Sequence, residues 1–302
     1  MSINKSRAGK PGQAKGKGLH PRNAHNGGYD FPALCRAEPG LRAFLLTAKS
    51  GQSSIDFADP RAVKCLNKAL LKQHYGIVGW DIPKGYLCPP VPGRVDYVHY
   101  LADLLPKGTP NRVLDIGTGA NGIYALLGAS LYQWQLVATD IEPRSLANVR
   151  DILAYNPLLA ERIDLRLQSN PTQIFANVAA DDEHFDACMC NPPFHGSQAE
   201  ASAGSKRKLQ NLTGRPVEQV KLNFGGQHNE LWCDGGERRF LFAMIDESAA
   251  RPQLCHWFTS LVSKGDNLRP CKRRLQALGA TEVRVIEMTQ GNKQTRILAW
   301  RF

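Results

Sequence analysis

The pattern of apolar positions changes near residue 110. From Arg112 to the end of the chain, short apolar runs of strand length alternate with stretches of helical periodicity. The runs predict seven strands, at Val113–Ile116, Gln135–Thr139, Ile163–Leu167, Phe185–Cys190, Trp257–Val262, Glu282–Met288 and Arg296–Trp300. Helices between the early runs imply right-handed crossovers, and therefore a mostly parallel sheet. Too few residues separate the last two runs for a crossover helix, so we expect them to form an antiparallel hairpin.

Ahead of this alternation, residues 29–110 predict a helical N-terminal segment. Asp59 and Pro60 are suited to cap and begin a helix, and apolar residues follow them at helical spacing. A second amphipathic helix is predicted over 94–105, where proline and glycine then end the element before the first strand.

Two segments lack apolar periodicity. Residues 1–28 are rich in glycine and hold six Lys or Arg but no acidic residue, which predicts a flexible basic arm. Residues 196–234 are rich in Gly, Ser, Asn and basic residues, and we interpret them as a substrate loop over the carboxyl edge of the sheet. The chain is thus predicted to contain an arm, the helical segment, and one α/β domain over 111–302 that carries the inserted loop.

Charge and composition narrow the possible partners. The 302 residues carry a formal net charge of +11, which favours an anionic partner because clustered cations bind phosphates by releasing counterions. No apolar run reaches the roughly 18 residues of a membrane span, and no apolar stretch follows the basic start, so we expect a cytoplasmic protein with no membrane partner. The eight cysteines form no C-x-x-C pair, so we expect no metal and interpret Cys188 and Cys190 as buried thiols. We also expect a monomer.

A glycine-rich turn follows the first predicted strand. Glycines stand at 117, 119 and 122, ahead of a predicted helix over 123–132. This spacing fits a dinucleotide site as well as a nucleoside-containing methyl donor, and Asp140 at the end of the next strand could accept the ribose hydroxyl protons of either ligand. Asp115, just before the first glycine, favours the methyl donor because its charge would repel a pyrophosphate. The turn alone leaves dehydrogenase and methyltransferase open.

The fourth predicted strand ends in Asn191, Pro192, Pro193 and Phe194. The prolines fix the backbone and remove donors, which leaves the local carbonyl oxygens as acceptors with little freedom to reorient. The Asn191 side-chain oxygen and the Pro192 carbonyl could together hold both hydrogens of one amino group, while Phe194 offers a face on which a base stacks. We assign catalysis to these four residues.

Such a pair of acceptors suits an aromatic amine. An adenine amino nitrogen is a poor nucleophile because its lone pair is delocalised into the ring. Two acceptors favour the pyramidal nitrogen that the transition state requires, and holding the reactants about 3–3.5 Å apart contributes further to the rate. The tetrapeptide therefore favours methylation of an amino group over hydride transfer.

These motifs together resemble the bacterial ribosomal RNA large subunit methyltransferase F family and, more distantly, eukaryotic adenine-N6 methyltransferases of small nuclear and messenger RNA. The resemblance covers residues 29–302. The segments that carry it are Pro90–His99, Leu114–Ala120, Ala138–Asp140, Cys188–Phe194, Gly235–Glu237, Gln290–Asn292 and Leu298–Phe302.

The resemblance implies a class I, Rossmann-like methyltransferase that uses S-adenosyl-L-methionine to methylate N6 of an adenine in 23S rRNA or a large-subunit precursor. It implies that Arg94 lies against the methionine end of the cofactor and that Asp140 binds the ribose. The turn that includes Gly117, Thr118, Gly119 and Asn121 is expected to surround the amino acid, and Thr172 to contact the adenine side. The chain departs from the eukaryotic relatives at Pro171, which replaces a regulatory lysine.

Basic residues outside the cofactor motifs are predicted to grip RNA phosphates. They are Lys5, Arg7, Lys10, Lys15 and Lys17 of the arm, with Lys206, Arg207, Lys208, Lys272, Arg273 and Arg274.

Four other functions are weighed against this hypothesis. A protein glutamine N-methyltransferase could hold a side-chain amide in the same way, but its substrate gives no reason for a polybasic arm. An adenine-N6 methyltransferase of another RNA would use the same site. A DNA methyltransferase would need a separate recognition module, for which the insertion leaves little room. A noncatalytic RNA-binding protein would have no need of intact Asp115, Asp140 and Asn191.

Overall fold

A seven-stranded sheet forms the centre of the protein. The computed structural model describes residues 18–48, 51–108, 110–193, 233–290 and 293–302. The strands of the central sheet are β3 (Arg112–Ile116), β4 (Gln135–Asp140), β5 (Ile163–Leu167), β6 (Phe185–Cys190), β7 (Cys255–Val262), β8 (Glu282–Gln290) and β9 (Lys293–Arg301). Their order is β5-β4-β3-β6-β7-β9-β8, parallel from β5 to β7 and antiparallel at β9 and β8. All seven predicted strands are confirmed, as is the final hairpin.

Helices cover both faces of this sheet. Those of the described residues are α1 (Phe31–Ala37), α2 (Pro60–Tyr75), α3 (Val91–Ala102), α4 (Ile123–Tyr132), α5 (Pro143–Ala154), α6 (Pro157–Ala160), α7 (Gly236–Ala250) and α8 (Leu268–Ala277). Alternate residues of a strand point to opposite faces, so Val113 joins the core under α2 to α5, and Leu114 joins the core under α7 and α8. The predicted α/β architecture is thus confirmed.

The N-terminal segment is only partly helical. The predicted helix after Asp59 is confirmed, with the Asp59 carboxylate accepting from the Arg61 amide at 2.8 Å as its N-cap. The second predicted helix begins earlier than expected, at Val91, because Pro92 fits its first turn. A small antiparallel hairpin of β1 (Leu45–Thr47) and β2 (Ser53–Ile55) was not predicted.

The prediction of a flexible arm is wrong for residues 18–28. His20, Asn23 and His25 are buried, and the His20 amide donates to the Asp96 carboxylate of α3 at 2.9 Å. Arg22, counted as a free cation, forms an ion pair with Asp103 at 2.8 Å. Residues 18–28 are therefore held against α3 by polar contacts. Residues 1–17 of the arm lie outside the described residues.

Within the described part of the chain, no helix is long and apolar enough to cross a membrane. The same residues contain no group of three or more His, Cys, Asp or Glu that could hold a metal ion. Cys188 and Cys190 are buried thiols, as predicted.

Candidate active site

The carboxyl ends of β3, β4 and β6 lie side by side because the three strands are parallel neighbours. A cavity of about 510 Å³ opens at this edge of the sheet, a size typical of small-molecule sites. Its walls come from the turns after these strands, from the start of α3, and from α7. Residues that are far apart in the sequence therefore meet in one space.

The turn after β3 brings its backbone to the floor of this cavity. Gly117 and Gly119 have φ of 70° and 65°, a left-handed conformation that favours glycine. The amide of Thr118, between them, donates to the Thr139 carbonyl at 2.9 Å, so β4 holds the turn in place. A Cβ at Gly117 would meet nothing within 4 Å, so this glycine is required for its backbone conformation and leaves open space above it.

Two carboxyl groups lie at the turn. Asp140 at the end of β4 accepts from the Gly119 amide at 2.8 Å and from the Glu142 amide at 2.8 Å. Asp115 is wholly buried beneath the turn, and neither of its oxygens has a hydrogen-bond partner among the described residues. Burial raises the pKa of Asp115 to about 7 and that of Asp140 to about 6. The site therefore gains negative charge as the pH rises toward 7.

A cation from α3 faces these acids. Arg94 donates from Nη1 to the Tyr124 hydroxyl at 2.6 Å, and its guanidinium lies 5.4 Å from the centre of the Tyr124 ring. Its Nε is buried and has no partner within the described chain. Tyr124 of α4 thus orients the guanidinium at the cavity, and the buried Nε–H is among the donors left for a ligand.

The end of β6 contributes a free acceptor. Asn191, Pro192 and Pro193 line the cavity next to the glycine turn. The Asn191 side-chain oxygen is buried without a partner among the residues that the structure describes. A buried acceptor without a donor costs stability of the order of 1–3 kcal/mol, so such a group in a native protein calls for an explanation, of which a catalytic role is one.

S-adenosylmethionine fits this arrangement of groups. Four of the residues that have unpartnered buried polar atoms lie in or directly beneath the cavity, namely Arg94, Asp115, Thr118 and Asn191. The acids suit an ammonium group, the arginine suits a carboxylate, and Asp140 at the strand end suits a ribose. The residues that are present therefore match the charged and polar ends of this cofactor.

The structure gathers most of the predicted site residues into the one cavity. Its walls include Arg94, Gly117, Thr118, Gly119, Asn121, Asp140, Thr172, Asn191, Pro192 and Pro193. The Asn121 side chain is used within the protein, where its oxygen accepts from the Ile123 amide at 3.1 Å. Phe194 lies outside the described residues.

Sequence reasoning missed several cavity residues. Gln168, Arg239 and Phe240 line the cavity, and Tyr124 orients Arg94. The first three come from a loop and from α7, whose motif at Gly235–Glu237 was the available signal. These side chains reach the cavity from helix faces and loops, which apolar periodicity does not orient toward a site.

Among the predicted RNA-gripping residues, the structure describes those of α8. Lys272 and Arg273 are exposed, whereas Arg274 forms an ion pair with Asp246 and lies 4.9 Å from the centre of the Phe242 ring. Arg274 therefore contacts α7 rather than extending toward RNA. The cations predicted at 5–17 and 206–208 lie outside the described residues.

The profile of a family described as RNA methyltransferase matches residues 13–302. The chain belongs to this RNA methyltransferase family. Two similar relatives are both named ribosomal RNA large subunit methyltransferase F. That of Shewanella amazonensis is 59% identical over 97% of this chain and 95% of its own length. That of Shewanella baltica is 58% identical over 95% of this chain and 81% of its own length.

Solved structures of human METTL16 share the fold. The catalytic domain of human METTL16 in complex with MAT2A 3′UTR hairpin 6 superimposes with a TM-score of 0.81 at 30% identity, covering 95% of this chain and 98% of that one. The N-terminal domain of human METTL16 in complex with SAH superimposes with a TM-score of 0.75 at 28% identity, covering 95% of this chain and 99% of that one. The expected family, fold class, methyltransferase activity and use of S-adenosylmethionine are thereby confirmed.

Proposed function

We propose that this enzyme methylates N6 of an adenine in 23S ribosomal RNA, naked or within an assembling large subunit, as a cytoplasmic monomer without a metal. The observation that carries the proposal is the buried, unpartnered side-chain oxygen of Asn191 beside the glycine turn. An acceptor in that position suits an amino group brought next to the cofactor. The names of the two Shewanella relatives support ribosomal RNA of the large subunit as the substrate.

The Asn191 oxygen and the Pro192 carbonyl would accept the two hydrogens of the adenine amino group. Two acceptors fix the orientation of the nitrogen and favour its pyramidal form, so their stabilisation grows toward the transition state. S-adenosylmethionine, when bound, supplies the electrophilic methyl group. No general base is needed before transfer, since the methylated nitrogen loses its proton readily. The assignment of Phe194 to base stacking stays a prediction.

Cofactor binding is assigned to the residues of the turn and to α3. Asp140 would accept the ribose hydroxyls, and Arg94 would pair with the carboxylate of the methionine end. Asp115 would provide negative charge for the ammonium group, and Gly117, Thr118, Gly119 and Asn121 would let the backbone approach it closely. Thr172, which lines the cavity from the loop after β5, would contact the adenine end.

Affinity for S-adenosylmethionine is expected to rise as the pH is raised from about 5.5 to 7. The pKa of Asp115 is raised to about 7, above its value in the unfolded chain, so the carboxyl is neutral at the lower pH. Because the ionised form binds the ammonium group better, affinity should weaken by up to about tenfold per pH unit below 7. Calorimetric titration at constant salt measures this dependence.

Asp115→Asn is the control for that titration. It should bind more weakly at pH 7 than the parent protein and show a flatter pH profile, with Asp140 as the remaining titrating group. A parent profile that stays flat from about pH 5.5 to 7 would contradict the role given to Asp115.

RNA binding is assigned to exposed cations. On α8, Lys272 and Arg273 are joined by Arg269 on the same exposed face, and none of the three forms an ion pair with a described residue. α8 begins shortly after β7, whose carboxyl end lies at the same edge of the sheet as Asn191 because β6 and β7 are parallel. Arg269 therefore takes the RNA-binding role that was predicted for Arg274. The cations predicted at 5–17 and 206–208 remain assigned to RNA binding.

The variant Lys272→Glu/Arg273→Glu is expected to bind RNA more weakly and with a flatter salt dependence. Each lost phosphate contact lowers the slope of log K against log salt by about 0.7–0.9. The control is Lys107→Glu/Arg150→Glu, which makes the same charge change at two other exposed positions. Equal slopes for the two variants, measured by fluorescence anisotropy, would remove α8 from the RNA-binding surface.

The function itself is tested by transfer of labelled methyl groups. We expect 23S rRNA to accept the label and its nucleoside digest to contain N6-methyladenosine, while 16S rRNA, ribosomal protein and DNA stay unlabelled. Label in protein alone would favour glutamine methylation and overturn the proposal. Label in a different RNA would keep adenine methylation and reject the substrate.

A further inference from the structure

A buried tyrosine connects the cofactor side of the cavity to the end of β6. Tyr97 of α3 is fully buried, one turn after Arg94, and its ring meets the ring of Tyr124 edge to face at 5.4 Å. Its hydroxyl lies 2.7 Å from the Thr259 hydroxyl of β7 and accepts from the Cys190 amide at 3.2 Å. Cys190 is the residue directly before Asn191.

Counting hydrogens fixes the direction of these bonds. Thr259 donates its hydroxyl proton to the Cys188 carbonyl at 2.7 Å. Its oxygen is then free to accept, so Tyr97 donates to Thr259 while accepting from the amide of Cys190. The two hydroxyls thus bridge the carbonyl of Cys188 and the amide of Cys190 near the end of β6.

The bridge stands where the strand pairing stops. The last register pair between β6 and β7 is Ala187 with Trp257, and β7 pairs with β9 from Phe258 onward. The backbone of Cys188 and Cys190 therefore bonds to side chains where a ladder would otherwise continue. These hydroxyls hold the end of β6 at the point where the sheet opens into the cavity.

We propose that Tyr97 and Thr259 are positioning residues that fix the two peptides on either side of Met189, directly before Asn191, so that the Asn191 side-chain oxygen projects into the cavity. The inference rests on the proposed function, because it gives the bridge a role in amino-group capture. α3 carries Arg94 and Tyr97 one turn apart, so one rigid helix places both the cofactor end and the acceptor residue. A misplacement of about 1 Å in such an arrangement can lower the rate about 100-fold.

Tyr97→Phe tests this role because it removes the hydroxyl and keeps the ring. With S-adenosylmethionine and 23S rRNA saturating, we expect kcat about 10-fold to 100-fold lower, with the Kd of the cofactor changed less than about threefold. Tyr75→Phe is the matched control, since Tyr75 is also buried and its hydroxyl bonds to His25 at 2.7 Å, outside the cavity. It should lower Tm and leave kcat unchanged.

Thr259 supplies a second test in case Tyr97→Phe fails to fold. Thr259→Ser keeps the hydroxyl and should retain kcat, whereas Thr259→Val removes it and should reproduce the loss. The variant Tyr97→Phe/Thr259→Val should lose little more than either single variant, because both changes break one bridge.

An unchanged kcat in Tyr97→Phe and Thr259→Val would overturn the inference. So would losses in cofactor affinity as large as those in kcat, since they would indicate a general loosening of the site. Failure of the proposed function is a separate result, because it would appear as an absence of N6-methyladenosine with the parent protein.

Discussion

Replacing Asn191 by alanine is expected to lower kcat by about 100-fold or more while cofactor binding is retained. The loss corresponds to removing one hydrogen-bonding group that acts mainly in the transition state. The side-chain oxygen of Asn191 is buried and has no partner within the described part of the chain, so its removal breaks no hydrogen bond seen there. The cost of the unpaired acceptor is removed as well, so stability should equal or exceed that of the parent protein.

Single-turnover kinetics with enzyme in excess over RNA would isolate the chemical step for Asn191→Ala, and calorimetry would report the cofactor Kd. Equal Kd values with a large loss of rate would place the side chain at the reacting amine. A rate close to that of the parent would remove Asn191 from the mechanism. A parallel loss of affinity and rate would assign it to cofactor binding instead.

The central sheet was predictable because its signals are local and repeated. Most strands contain a short apolar run, and residues such as Val113 and Leu114 alternate between two cores. The hairpin of β1 and β2 escaped prediction because each strand has three residues and only Ile55 among the six is buried. So short a pattern does not stand out from a loop.

The segment 18–28 shows a different limit. It has three glycines and few apolar side chains and follows directly on the basic residues of 1–17, so the sequence favours a flexible arm. It packs through polar contacts, including Asn23 to the Pro92 carbonyl at 2.9 Å and His20 to Asp103 at 3.0 Å. Such contacts depend on partners more than 60 residues away in the sequence, which periodicity does not indicate.

The candidate site was predictable where residues follow strand ends. Gly117, Asp140 and Asn191 come directly after or at the ends of parallel strands, so topology alone brings them to one edge. Tyr97 and Thr259 lie in the middle of other elements. From the sequence alone they look like ordinary core residues. Their contribution depends on where the pairing of β6 with β7 stops, which only the register shows.

Replacing Asp140 by alanine is expected to raise the Kd of S-adenosylmethionine about 100-fold, with kcat at saturating cofactor within several-fold of the parent. Two charge-assisted hydrogen bonds to the ribose would be lost, each worth about 1.5–3 kcal/mol before compensation by water. The Gly119 amide would also lose its acceptor at 2.8 Å, which loosens the turn that faces the amino acid. The effect of Asp140→Ala should therefore appear mainly in the Kd of the cofactor, whereas that of Asn191→Ala should appear mainly in kcat.

Two further substitutions distinguish loss of charge from loss of shape at this position. Asp140→Asn keeps the volume, but either rotamer of its amide turns a donor toward the Gly119 or the Glu142 amide, so affinity should fall nearly as far as with alanine. Glu142→Gln is the control, because it removes a neighbouring carboxylate whose side chain caps α5 by accepting from the Arg144 amide. This variant should bind S-adenosylmethionine with parental affinity. Asp140→Ala with parental affinity would exclude the ribose contact, and with it the argument that an acid at the end of β4 distinguishes this cavity as a nucleoside site.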